Sequence, residues 1–416
     1  MRVEGEVELV VVGGGAAGLA AALKAREEGI EEIWVLDRNE RPGGILPQCI
    51  HTGFGLHYFG ENLTGPEYIH RFIRRAREEG ITIKLETMVL RLTKEREVVA
   101  VNPSEGLLKL KAGAVILAMG CRERPRGSLL IPGGRPAGIF TAGTAQRLLD
   151  LEGYLPGREV VILGSGDVGL IMARRFAMEG VEVKAVVELM PYPGGLGRNV
   201  VQCLEDFGIP LLLRRTVTHI HGRERVEAVT VAEVDGEGNP IPGTERKIPC
   251  DTLVLSVGLI PENELSEGAG IELDERTGGP FVDEFMRTSL EGFFACGNVV
   301  TVFDLVDHVT LTGERAGKSA SQYLKGELPP PRRVREVRPG ENVRLVVPQR
   351  VSGEGPVTFY LRVSRPLREA RVEVGGKSFF RKAVRPPEML TVELGKEEVG
   401  GLGGEIPVRV LGKPLG

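Results

Sequence analysis

Cysteine is scarce and scattered. The five thiols, Cys49, Cys121, Cys203, Cys250 and Cys296, form no C-x-x-C and no close pair. That excludes a disulfide scaffold, a spacing-defined zinc site and an iron–sulfur ligand run. The six histidines contain no H-E-x-x-H pattern. Basic residues are not in excess, with 53 Lys and Arg against 57 Asp and Glu, so the footprint of a basic nucleic-acid-binding domain is missing. No apolar run approaches the ~20 residues of a membrane span. The longest, Leu9 to Leu23, is broken by Gly13-Gly14-Gly15 and lacks the basic flank of a signal peptide. Asn and Gln together number only 13, a depletion shared with thermophile proteins. A reducing, cytoplasmic setting is expected.

Glycine, by contrast, is abundant: 57 of 416 residues, with no Gly-X-Y period. With 42% hydrophobic and 26% charged residues, the chain is globular, and its length predicts about two or three domains. The surplus glycine therefore marks local needs, where the backbone turns with positive φ or must approach something closely.

The chain repeats itself. Residues 9–38 and 160–189 align without gaps at an offset of 151, so that Gly13, Gly15 and Gly18 fall on Gly164, Gly166 and Gly169, and Asp37 falls on Glu188. Each copy reads as a buried β-branched strand, Gly-x-Gly-x-x-Gly, a helix closed by glycine (Gly29, Gly180), a second strand and an acid. That is a βαβ unit whose glycines serve the tight turn, the approach of a pyrophosphate and close helix–strand packing. The unpaired N–H groups and dipole of the helix start hold the pyrophosphate, and the acid takes the ribose hydroxyls. Two such units on one chain imply two dinucleotides and hydride transfer between a nicotinamide and a flavin. A carboxylate at Glu188 opposes a 2′-phosphate, and Leu189, Met190 and Pro191 offer no arginine to receive one, so NADH is expected over NADPH.

With these two units the chain resembles the flavoprotein disulfide-reductase (pyridine nucleotide-disulfide oxidoreductase) superfamily over about residues 5–326. VILAMG (115–120), LVLSVGLIPEN (253–263) and RTSLEGFFACGN (287–298) add to the likeness. The resemblance implies an α/β fold of two Rossmann-like, glutathione-reductase-type domains. FAD would lie on residues 1–122 and 280–326, and NAD(H) on the inserted 123–279. It further implies FAD contacts from Gly13, Gly15, Ala16, Ala17, Gly18, Asp37, Arg38, Gly44, Val89, Ala118, Gly120, Gly297 and Asn298. NAD contacts would come from Gly164, Gly166, Asp167, Val168, Gly169 and Glu188. Asn298 departs from the family's usual Asp, which removes a negative charge beside the pyrophosphate.

Residues 42–72, 138–149, 190–210 and 304–317 also look like a subgroup of FAD/NAD oxidoreductases. That subgroup accompanies glycerol-3-phosphate-dehydrogenase-type flavoproteins and is related to the alpha chain of sarcosine oxidase. The resemblance implies a component that exchanges electrons with a partner flavoprotein, without a redox dithiol. In the same family view, a helix starting near Thr312 aims its positive end at the flavin, with His308 just before it.

Several side chains remain to be weighed. Cys49 lies 36 residues past Gly13, about where single-cysteine NADH peroxidases place a redox thiol; the alternative is a small residue packed under the flavin. His51 and His57 are candidate proton donors. Cys121 and Cys296, beside crossover glycines, are expected to be buried spacers, and Cys203 and Cys250 have no evident role. Arg71, Arg74, Arg75 and Arg77 read as a solvated face of a helix opened by the capping box Thr64-Gly65-Pro66-Glu67. The stretch Pro329-Pro330-Pro331-Arg332-Arg333 reads as a stiff linker. Short alternating runs beyond it predict a small β-sandwich over residues 327–416, as a stability or oligomer module or a docking surface. Three functional readings follow: an FAD-dependent NAD(H) oxidoreductase serving a partner; a Cys49-based NADH peroxidase, oxidase or disulfide reductase; and a non-enzymatic redox-sensing scaffold.

Overall fold

The computed structural model describes residues 2–331 and 333–415. Arg332, within the expected linker, lies outside them. The chain forms two compact units: Arg122–Ile260 is one, and the segments before and after it make the other.

In the first unit, β1 (Arg2–Val12) leads through the first glycine turn into α1 (Ala16–Glu27) and β2 (Ile33–Leu36). The capping box forms as read, with Thr64 and Glu67 bonded reciprocally, and opens α2 (Gly65–Glu78). β3 (Thr82–Lys84), β4 (Met88–Leu92), β5 (Glu97–Asn102) and β6 (Gly106–Leu117) follow. The sheet runs β3-β2-β1-β6-β5-β4. β3, β2, β1 and β6 are parallel, while β5 and β4 return antiparallel against the first half of β6. Val10, Val11, Ile116 and Leu117 are fully buried, as expected of strands covered on both faces.

The second unit builds β7 (Ile139–Thr141), α3 (Ala142–Asp150), β8 (Glu159–Leu163), α4 (Asp167–Met178), β9 (Glu182–Val187), β10 (Leu211–Leu212), β11 (Arg215–His221), β12 (Ala228–Glu233), β13 (Arg246–Pro249) and β14 (Thr252–Leu255). The parallel sheet runs β7-β14-β8-β9-β10, and β11-β12-β13 form a separate antiparallel sheet.

Sequence reading runs the inserted segment to residue 279. In the structure the chain rejoins the first unit at Pro261. The buried Asn263 amide fixes that return by donating to the carbonyls of Gly278 (2.8 Å) and Val299 (3.0 Å). β15 (Phe293–Ala295) then adds in parallel to the far end of β6, which gives the first unit the order β15-β6-β1-β2-β3. The second unit has the same order with β7 in the outer place, so the repeat extends to the whole parallel sheet. α5 (Val306–Leu324) closes this part. It starts six residues before the expected Thr312, because its N-cap, Leu305, has no side-chain acceptor to announce it.

The C-terminal residues form two facing sheets. β16 (Arg335–Pro339), β17 (Val343–Val347), β18 (Arg350–Val351), β19 (Val357–Val363), β20 (Leu367–Val374), β21 (Lys377–Val384), β22 (Leu390–Leu394) and β23 (Ile406–Pro414) pair as β18-β16-β23-β20-β21 and β17-β19-β22. Phe359, Leu361, Val372, Val408 and Val410 fill the space between them. Glu284, 2% exposed, ties this sandwich to the preceding part of the same unit. Its carboxylate accepts from the Ser352 amide (2.8 Å), the Ser352 hydroxyl (2.6 Å) and the Gly353 amide (2.8 Å).

Candidate functional site

Both glycine turns stand at the carboxyl end of a buried strand, where a parallel sheet opens its crevice. Their glycines divide by physical reason. A Cβ at Gly18 would lie 1.9 Å from the Gly13 carbonyl oxygen, and one at Gly169 2.7 Å from Ser256 Cβ, so internal packing demands glycine there. A Cβ at Gly15 would come no nearer than 3.8 Å to any atom (Gly44 Cα), and one at Gly166 no nearer than 3.5 Å (Ser256 Oγ). Both residues have ordinary negative φ, −80° and −62°. The packing of the fold does not itself require glycine at these two positions.

Gly15 and Gly166 are also the N-caps of α1 and α4, and neither supplies a capping side chain. The first bonds of these helices are Leu19 N–H to Gly15 O and Leu170 N–H to Gly166 O. The N–H groups of Ala16, Ala17 and Gly18 therefore have no intrahelical carbonyl, nor do those of Asp167, Val168 and Gly169. Such an end suits a phosphate. In the first unit Gly43 donates to Gly14 O (2.8 Å), and this brings Gly44 against Gly15.

The acids are placed alike. Asp37, 5% exposed, accepts from the Gly14 amide at 2.7 Å and the Asn39 amide at 2.8 Å. Glu188, 7% exposed, accepts from the Ser165 amide (2.9 Å), the Ser165 hydroxyl (2.5 Å) and the Met190 amide (2.9 Å). Each carboxylate is fixed beside its glycine turn and keeps acceptor capacity for ribose hydroxyls. Thr87 donates to Asp37 O (2.8 Å), which puts Val89, buried on β4, near this acid. Arg38 is exposed and meets Glu262 at 3.4 Å. Asp167 turns inward, accepting from the Leu196 amide (2.8 Å) and the Asn199 side chain (2.6 Å).

The returning chain completes the first cradle. Ala118 donates to Val12 O, and Gly120 turns with φ +74°. Gly297 donates to Thr312 Oγ1 (3.1 Å) and sits so close to α1 that a Cβ would lie 2.7 Å from Ala17 Cβ. The Asn298 amide oxygen accepts from Phe303 N–H (3.0 Å), and its nitrogen faces Cys121 Sγ at 3.6 Å. α5 crosses α1 backbone to backbone: a Cβ at Gly313 would lie 2.3 Å from Ala17 O. The first turns of α1 and α5 and the Gly297-Asn298 turn thus converge. Asp307, in the first turn of α5 and 1% exposed, accepts from Tyr58 N–H (3.0 Å); nothing in the sequence marked this link.

Cys49 is buried at the end of the short helix Leu46–Gln48, with Sγ 3.5 Å from Ile45 O. A Cβ at Gly65, the first residue of α2, would lie 2.8 Å from Cys49 Cβ. His51 bonds Thr52 O through Nδ1 at 3.0 Å and leans on Phe54, while His57 is exposed. Cys296 is buried as expected, whereas Cys121 is half-exposed, because the turn at Gly120 carries it off the end of the sheet. Burial pushes the Cys203 and Cys250 thiols up to about 11, and that of Cys296 higher still. Arg71 pairs with Glu61, Arg74 with Glu78 and Arg75 with Glu27 along the outer face of α2. Among the described residues no group of three or more His, Cys, Asp or Glu is arranged to hold a metal, and no helix is long and apolar enough to cross a membrane.

The chain is similar to several known proteins. An opine oxidase subunit of Agrobacterium tumefaciens (strain Ach5) is 28% identical over 310 residues, 70% of this chain and 61% of its own. NAD(P)H coenzyme A polysulfide/persulfide reductase of Pyrococcus horikoshii is 26% identical, with 70% and 62% covered. The chain spans about three fifths of the length of these curated relatives. Among solved structures, thioredoxin reductase of T. acidophilum superposes with a TM-score of 0.63 at 25% identity, over 77% of this chain and 99% of its own. The pyridine nucleotide-disulphide oxidoreductase family pattern matches residues 7–313. The chain belongs to this family of oxidoreductases, which work with FAD and NAD(P)H.

Proposed function

We propose that this chain is an FAD-dependent NAD(H) oxidoreductase in a reducing, cytoplasmic setting, and that it passes electrons to or from a partner flavoprotein. The single observation that carries the reading is the pair Gly15 and Gly166, glycines with no structural need, each at the bare start of a helix beside a fixed acid. In this reading Gly13, Gly15, Ala16, Ala17, Gly18 and Gly44 cradle the FAD pyrophosphate, and Asp37 takes the adenosine ribose. Arg38, Val89, Ala118, Gly120, Gly297 and Asn298 flank the rest. Gly164, Gly166, Asp167, Val168 and Gly169 form the nicotinamide dinucleotide turn, and Glu188 favours NADH by opposing a 2′-phosphate.

The bound flavin supplies a two-electron acceptor for hydride. The protein's share is orientation, exclusion of water and electrostatics: helix starts neutralise phosphate charge, and carboxylates fix the riboses. A partner is supported by two relatives that are themselves named as subunits. One is the opine oxidase protein; the other, at 26% identity, is hydrogen cyanide synthase subunit HcnB of Pseudomonas protegens. The absence of any C-x-x-C supports an acceptor outside the chain.

The test is anaerobic titration of the purified yellow protein. NADH should bleach the visible absorption of the flavin at far lower concentration than NADPH. Flavin that neither nucleotide bleaches would sink the assignment. A second reading, reduction of a sulfur or peroxide substrate at Cys49, is favoured by the position of that thiol on the loop just after Gly44. It requires Cys49→Ser to abolish turnover, whereas the first reading expects bleaching by NADH to survive within about twofold.

A further inference from the structure

One buried polar cluster has no part in either cradle. Nδ1 of His308 and Oδ1 of Asp304 are both buried and have no hydrogen-bond partner among the described residues, yet they stand 3.9 Å apart. That is too long for a hydrogen bond, and a buried polar group left without a partner is costly. The two atoms can meet only if the imidazole carries a proton on Nδ1 and swings toward the carboxylate.

Asp304 is the fixed member of the pair. Its Oδ2 accepts from the Met389 amide of the sandwich at 2.8 Å, and Oδ1 lies 3.9 Å from Arg362 Nη2. Arg362 is itself clamped by the carbonyls of Val302, Pro386 and Pro387. His308 is boxed less tightly, edge-on to the rings of Phe303 and Tyr360 at 6.2 and 5.3 Å between centroids. The charged and titratable groups that face it are Asp304, Asp307 of its own helix, His57, and Tyr360 and Arg362 of β19. Burial is the largest influence and holds the imidazole below its usual pKa; the two aspartates oppose it, while His57 and Arg362 reinforce it.

The location gives this cluster a purpose. His308 is the third residue of α5, and its neighbour Val309 has Cγ1 3.2 Å from where a Gly297 Cβ would stand. The cluster therefore borders the place where α1, α5 and the Gly297-Asn298 turn converge. Resting on the proposed flavin reading, we infer that His308 takes one proton from solvent when the cofactor of the first cradle gains negative charge, with Asp304 as the positioning residue that receives the new Nδ1–H. Hydride arriving from the nicotinamide brings two electrons and one proton, so the bound group becomes more negative by one unit. The proton on His308 balances that charge, and no bond to the cofactor is made or broken by the imidazole. The sandwich becomes part of the redox site through Met389 and Arg362.

The experiment follows the six histidines by selective ¹³C labelling and NMR in the flavin-loaded protein, oxidised and then reduced with dithionite. His308→Gln assigns the resonance. The His308 proton affinity should rise at least about tenfold on reduction, a shift of about one pKa unit, and Asp304→Asn should suppress that rise. The pH dependence of the flavin midpoint potential should show a break that His308→Gln lacks. A His308 that titrates at the same pH in both redox states overturns the inference. The wild-type comparison decides this even where Asp304→Asn folds poorly. Flavin that neither NADH nor NADPH bleaches overturns the proposed function instead, and dithionite reduction still decides the behaviour of His308.

Discussion

One oxygen of Glu188 takes both the amide and the hydroxyl of Ser165, at 2.9 and 2.5 Å, while the other takes the Met190 amide. These bonds fix the carboxylate at the end of β9, where in the proposed reading it would oppose a 2′-phosphate. Glu188→Ala should raise kcat/KM for NADPH relative to NADH about tenfold or more, the range of a lost charged hydrogen bond plus relieved repulsion. Arg214, exposed, is tied through its amide to Met190 O at 3.2 Å, a cation beside this turn that the sequence did not disclose. Glu188→Ala/Arg214→Ala should lose part of the gained NADPH activity. Steady-state kinetics with both nucleotides checks the pair.

The glycines offer a sharper contrast. Gly18→Ala forces a Cβ to within 1.9 Å of a carbonyl oxygen, so it should destabilise the protein by several kcal/mol, on the order of a severe core overpacking. Gly15→Ala meets nothing closer than 3.8 Å and should leave the melting temperature of the flavin-free protein nearly unchanged, or lower it slightly because alanine is a poorer N-cap than glycine. The same change should strip bound FAD. Flavin-to-protein ratio and thermal melts of both variants separate a packing glycine from a ligand glycine.

The thiols give a pH dependence. Burial pushes Cys203 and Cys250 up to about 11 in the folded protein, against an ordinary value of 9.0. Between these values the unfolded chain has released protons that the folded one retains. The stability from each neutral buried thiol is thus whole below about pH 9 and falls as pH rises toward about 11, by roughly 1.4 kcal/mol per pH unit per group. Cys203→Ala/Cys250→Ala should flatten the alkaline fall in melting temperature. At about pH 8, below the ordinary thiol range, iodoacetamide should label the half-exposed Cys121 and spare Cys203, Cys250 and Cys296, as read by mass spectrometry.

What could be read from the chain was whatever repeats or caps locally. The two glycine turns, the acids at their strand ends and the capping box at Thr64 and Glu67 each sit within about 25 residues of their partners, so spacing carries them. Three features were not legible, each for a physical reason. α5 starts at Val306 without a capping side chain, so the propensity signal begins late. Cys121 looks like a spacer beside a glycine, but the turn there half-exposes it. Asp304, His308 and Arg362 come together only because the sandwich docks beside the start of α5, and no sequence interval encodes that contact.

The docking of the sandwich is itself testable. Glu284 accepts two backbone amides and a hydroxyl from Ser352 and Gly353, with the Glu354 amide at 3.3 Å, while nearly buried. Glu284→Ala removes the acceptor and leaves these donors in a place water reaches poorly. The cost should be about 3 kcal/mol or more, a fall of several degrees in melting temperature for a chain of this size. Glu284→Gln keeps the shape and one acceptor oxygen and should lose less. Because Asp304 is held from the same sandwich through Met389, Glu284→Ala should also weaken the redox dependence of His308 titration, while the NADH to NADPH ratio set at Glu188 stays as it is. A variant that melts early but keeps that His308 response would show the sandwich to be a stabilising module alone.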